Sequence, residues 1–142
     1  MKKEPVIKEI LVNATATKVW KAITDKEDMK HWYFPVEEFR TELGFEFTLY
    51  GEKDDRKYPI ACRIISVELN KKLSYTWNYR DFPAETIVTF ELFEEGSQTK
   101  VRLTHEGLEK IPEKYKDASK ENHREGWNHI IGSSLKEYAE KK

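Results

Sequence analysis

Residues 119–140, SKENHREGWNHIIGSSLKEYAE, constrain this chain more than any other stretch. Trp127, Ile130, Ile131, Leu135 and Tyr138 fall on one stripe of a helix with 3.6 residues per turn, and Lys, Glu and Asn fill the opposite side. A helix of this length spans roughly 33 Å, enough to cross a small domain. Its apolar stripe needs an apolar surface to lie on, and the rest of the chain must supply it.

Most of the preceding sequence alternates with period two. Residues 6–12 (VIKEILV) are a β-branched run that reads as a first strand. Asn13, Ala14 and Thr15 interrupt it, and Asn13 or Thr15 caps a short helix with Val19, Trp20 and Ile23 on one face. Asp25 opens a further helical turn through Met29. The cluster Trp32-Tyr33-Phe34 stands before Pro35, in a loop or turn, because a residue preceding proline is held out of the helical region. Strand-like runs follow at 36–42 (a weak candidate), 44–50, 58–69, 73–79, 86–93 and 99–106, with charged turns at 51–55 and 95–97. The 58–69 run needs a bend, since Ile64 and Val67 do not share a simple period. Residues 107–118, a polar linker with Pro112, lead into the long helix.

Each strand is half apolar and its connections are short, the signature of an antiparallel sheet with one solvated face. The expected class is α+β: a curved antiparallel sheet of six to seven strands around the long C-terminal helix, with two short helices after the first strand. Residues 1–142 are expected to form a single domain.

Composition narrows the function. Charged residues make up 36% of the chain and apolar ones 38%, yet aromatic residues reach 13%, so the core is thin and built from large rings that enclose space. Lys and Arg number 25 against 26 Asp and Glu, a balance that leaves no nucleic-acid footprint. Charges interrupt every apolar run near the N-terminus, which argues against a signal peptide, and no run approaches the eighteen or so residues of a membrane span. The lone Cys62 cannot form an internal disulfide. These features point to the cytoplasm, with neither nucleic acid nor membrane insertion.

Several segments, in order, carry a resemblance: Val19-Trp20-Lys21-Ala22-Ile23-Thr24-Asp25, His31-Trp32, Leu73-Ser74-Tyr75-Thr76-Trp77, Leu103-Thr104-His105-Glu106-Gly107-Leu108, and Gly126-Trp127 opening the helix that ends in Leu135-x-x-Tyr138. Together they resemble the START-like, birch-pollen-allergen-like (SRPBCC) superfamily, and within it the group named for the C-terminal domain of the activator of the heat-shock-protein-90 ATPase. The resemblance spans nearly the whole chain and implies the helix-grip fold. It leaves the ligand open, because members bind lipids, sterols and aromatic molecules, cyclise polyketides or act as co-chaperones.

Among single residues His105 stands first: alternation puts it on the inward face with Val101 and Leu103, as an acid–base or ligand-bonding group or as a structural histidine. Tyr75, Trp77 and Tyr79 share one strand face, and their polar-tipped rings suit a pocket wall, Tyr75 reading more as core filling. Trp32-Tyr33-Phe34 reads as a gate over a cavity or as a plug. On the helix, His123 and Ser134 lie near the stripe, His123 reading as an exposed first-turn residue, and Gly126 suits a close backbone approach. Arg63 and Asp81 read as solvated charges. No metal spacing, phosphate loop or nucleophile motif occurs, so no catalytic residue, metal or cofactor is expected.

The leading expectation is therefore non-catalytic binding of a small hydrophobic or aromatic molecule between sheet and helix, with Trp32, Phe47, Trp77, Tyr79, Phe90, His105, Trp127 and Ile131 as its wall. The alternatives are a co-chaperone-like interaction module with a chaperone partner, and a cyclase or hydrolase using His105.

Overall fold

The first strand, β1 (Val6–Val12), forms from its β-branched run and turns Val6, Ile10 and Val12 inward while Ile7, Glu9 and Leu11 face water. The Thr15 side chain accepts a hydrogen bond from Lys18 N at 3.3 Å and caps α1 (Ala16–Thr24), which buries Val19, Trp20 and Ile23. Asp25 is both the last cap of α1 and the first cap of α2 (Lys26–Trp32), its carboxylate accepting from Glu27 N and Asp28 N. This is a computed structural model that describes residues 5–33, 36, 38–53, 56–79, 85–110 and 120–141. The anticipated roles of Phe34, Pro35, Asp81 and the 111–119 linker, and the tip of the 51–55 turn, lie outside the described residues.

Five strands follow: β2 (Glu46–Lys53), β3 (Arg56–Glu68), β4 (Lys72–Tyr79), β5 (Glu85–Glu95) and β6 (Gln98–Glu106). All pair antiparallel in one curved sheet of order β1-β6-β5-β4-β3-β2, so the first strand returns to lie beside the last. The bend anticipated in β3 is a register shift between Ile64 and Ser66. Two expectations change. Residues 36–42 form no strand where they are described: Phe39 is buried, but its neighbours from Glu38 to Leu43 face water. Among the described residues the sheet thus has six strands, the lower of the six to seven expected. And 51–53, expected in a turn, extend β2 in register with 56–58.

The C-terminal helix runs as α3 (Lys120–His129), a π-helical segment Ile130–Leu135, and α4 (Lys136–Lys141). Its buried residues are His123, Trp127, Ile131, Leu135 and Ala139, one every four residues. In a pure α-helix four residues overshoot a full turn by about 40°, so such a row would drift around the axis. The wider i→i+5 turns of the π segment take up more residues per turn and return the row to the sheet. This re-phasing buries Ala139 and leaves Tyr138 and Ile130 half-buried, where the α-helical stripe placed both on the apolar face. Gly126 has open space where a Cβ would sit, so the anticipated close approach there is absent. Among the described residues no helix is long and apolar enough to cross a membrane.

Candidate functional site

Beneath α3 the sheet presents a set of rings around a single histidine. His105, at the end of β6, is completely shielded from solvent. The Thr86 hydroxyl donates its one proton to the Trp77 carbonyl at 2.7 Å, so at 2.8 Å from His105 Nε2 it must accept, and Nε2 carries the hydrogen. Trp127 Nε1–H donates to Nδ1 at 3.0 Å. The imidazole is thus neutral, in the Nε2–H tautomer, with both nitrogens engaged. Burial holds its pKa well below the usual histidine range, and the nearby His123 adds to the effect.

Gly107 makes this geometry possible. Its φ of +88° suits glycine, and a Cβ there would press on Glu85 O at 3.2 Å and Thr86 Cα at 3.3 Å. The turn after His105 can therefore hug the start of β5, where Thr86 waits.

Around His105 lie Trp77 at 5.3 Å, His123 at 4.9 Å and Trp127 at 5.9 Å between ring centroids. Phe90 and Trp32 extend the set, with Phe90 meeting Trp127 at 6.3 Å and Trp32 at 6.5 Å. Trp32 is anchored by its indole N–H on the Ala22 carbonyl at 2.7 Å. Ile131 is fully buried in the same core. Phe47 lies in an adjoining ring set with Phe39 at 4.9 Å and Tyr75 at 5.2 Å.

Of the eight anticipated wall residues, only Tyr79 is half-buried; the other seven are buried.

Two polar pairs are set into this apolar interior. Tyr79 OH lies 2.6 Å from His123 Nε2, and Tyr33 OH lies 2.6 Å from Tyr75 OH. Burial pushes both the Tyr33 and Tyr75 phenols well above the usual tyrosine range, so both stay neutral. Tyr33 also stacks on Trp32 at 4.7 Å and faces Trp127 at 6.2 Å. His123 is buried, not exposed as anticipated: it stands one four-residue step before Trp127, and that row faces the sheet.

His123 could have been found from that spacing. Thr86, Tyr33 and Tyr75 carry no comparable local signal as polar groups, since Thr86 bonds a residue 19 positions away and the two tyrosines are 42 apart. Arg63 is exposed, as expected. Cys62 is buried, donates weakly to the Ile60 carbonyl, and has its thiol pKa pushed up by burial, which removes thiolate reactivity.

The far end of the helix is held differently. Tyr138 OH donates to the Asp28 carboxylate, which also accepts from Lys21 Nζ at 2.6 Å. Glu140 accepts from Asn13 N at 2.8 Å, and Lys136 reaches the Leu11 carbonyl at 3.4 Å.

The profile of the family described as Activator of Hsp90 ATPase homolog 1-like protein matches residues 13–140. Among solved structures, a Mesorhizobium loti protein is 24% identical, with 98% of each chain covered and a TM-score of 0.83. A Bacillus halodurans protein solved in solution is 27% identical over 96% of each chain, with a TM-score of 0.75. DynU16, a protein of the dynemicin biosynthetic locus, is 18% identical over 96% of this chain and 47% of its own, with a TM-score of 0.79. No functionally curated protein matches the chain.

Proposed function

The chain belongs to the Activator of Hsp90 ATPase homolog 1-like family of the SRPBCC superfamily, and from that premise we propose that it binds a small hydrophobic or aromatic molecule without transforming it. Members of this superfamily commonly bind hydrophobic ligands. One observation carries the reading: two hydroxyl-centred pairs, Tyr33–Tyr75 and Tyr79–His123, stand in an interior otherwise built of rings. An aromatic wall with few convergent polar groups is what orients an apolar ligand that bears one polar substituent. Tyr33 and Tyr79 are each only half-buried, so the ligand enters on their side. His105 has no nitrogen left to move a proton, which leaves a cyclase or hydrolase built on it without a base.

The test is tryptophan fluorescence against a panel of fatty acids, sterols and hydroxylated aromatics. Saturable quenching by at least one class, weakened severalfold in Tyr79→Phe, is expected. No saturable response from any class overturns the proposal.

The family description favours a second reading, docking to a chaperone. Stimulation of a heat-shock-protein-90 ATPase by the purified chain would support it, and an unchanged ATPase rate would remove it.

A further inference from the structure

The outer face of the sheet carries a hollow that the proposed function does not use. Strand register sets Thr48, Ala61, Asn78 and Glu85 in one outward row and places Glu46 opposite Arg63 in the row beside it. Ala61, Thr48 and Asn78 are short, so their row is a trough between longer side chains. The backbone ladder is interrupted here: registered pairs stop at Ala61↔Asn78 and resume in the same register at Ile64↔Tyr75, and between them Arg63 N–H donates to the Thr76 hydroxyl at 2.9 Å. The pocket that results holds about 280 Å³, with Phe47 and Cys62 contributing to its lining.

Its chemistry is mixed in sign. Glu46, Glu85 and Arg63 are exposed and form no ion pair among the described residues. Asn78 Oδ1 is shut off from water and accepts no hydrogen bond among the described residues. A buried acceptor of this kind costs free energy until a donor reaches it.

We propose that this trough binds a small zwitterion such as a free amino acid, its carboxylate paired with the Arg63 guanidinium and its ammonium with Glu85, the Asn78 amide turning to present Oδ1 to that ammonium. The guanidinium fork matches a carboxylate in two parallel hydrogen bonds. The ligand's side chain lies along the trough over Ala61. The pocket is at the small end of the range for ligand sites, which suits a molecule of this size. It opens on the face of the sheet opposite the ring-lined interior, with Phe47, between the two faces, common to both.

The test is an amide NMR titration of the intact chain with L-norleucine, with hexanoate and pentylamine as analogues that each lack one charge. Norleucine should move the amides of Thr48, Ala61, Arg63, Asn78 and Glu85 saturably, and each analogue should bind there about tenfold more weakly or worse. Arg63→Gln should weaken norleucine by about the same factor. Arg63 is exposed, so this variant keeps the fold, which unchanged amide positions elsewhere will report. No saturable movement at these amides, or full affinity in Arg63→Gln, overturns the proposal.

Discussion

The two ends of the C-terminal helix are fastened by opposite kinds of chemistry. At α3, aromatic groups hold it: Trp127 donates to a buried, uncharged His105, and His123 meets Tyr79 among edge-to-face rings. At α4, charged groups hold it: Asp28 gathers Tyr138 and Lys21, and Glu140 gathers Asn13 and Lys136. The first end is buried and sits beside the proposed site. The second lies nearer water, where each ion pair is worth little alone.

The largest break in that contrast should come from Trp127→Ala. It empties a packed site and leaves His105 Nδ1 without a donor, so a loss of about 3–5 kcal/mol in urea unfolding is expected. Thr86→Val keeps the shape but leaves His105 Nε2–H without its acceptor, and the same measurement should show about 1–3 kcal/mol.

Acid and alkali each probe a different anchoring group. A histidine whose pKa is depressed by folding takes up more protons when unfolded, so its contribution to stability is present above about pH 6.5 and is lost as pH falls below it. The Tyr138 phenol is pushed the other way, up to about 12, by burial and by Asp28. The folded state then holds its proton longer, and stability is lost as pH rises from about 10 towards 12. Thermal midpoints across pH should fall less steeply just below pH 6.5 in His105→Gln and less steeply above pH 10 in Tyr138→Phe, where Tyr33 and Tyr75 keep part of the alkaline slope. Lys136→Ala should be the mildest change, within about 1 kcal/mol, because that pair is partly exposed.

How much of this was legible beforehand depends on the range of the signal. Period-two alternation located the five strands from β2 to β6 and put His105 inward, because a strand's face is decided by its immediate neighbours. The stripe on the last helix was legible, but its phase was not. Reading 3.6 residues per turn throughout put Tyr138 on the buried row, whereas the π segment Ile130–Leu135 gives a four-residue step that buries Ala139; His123 was placed near the stripe but read as an exposed first-turn residue, and it is buried one step before Trp127. Residues 36–42 alternate weakly and have only Phe39 as a buried anchor where they are described, too little to form a ladder. Of the candidate site, the rings were legible as bulky inward residues. The hydrogen bonds that define it were not, since Tyr33–Tyr75 and Thr86–His105 are made by topology and not by spacing.

The central claim is that an apolar ligand enters beside the tyrosine pairs and meets the rings under α3. It is tested most directly by following the four tryptophan indole N–H signals by NMR while titrating 2-naphthol. Trp20, on α1, is outside the ring set and serves as the internal reference. The account predicts saturable shifts of Trp77 and Trp127 with Trp20 unmoved, and weaker binding in Tyr79→Phe. Shifts absent from Trp77 and Trp127, or equal at Trp20, would contradict it.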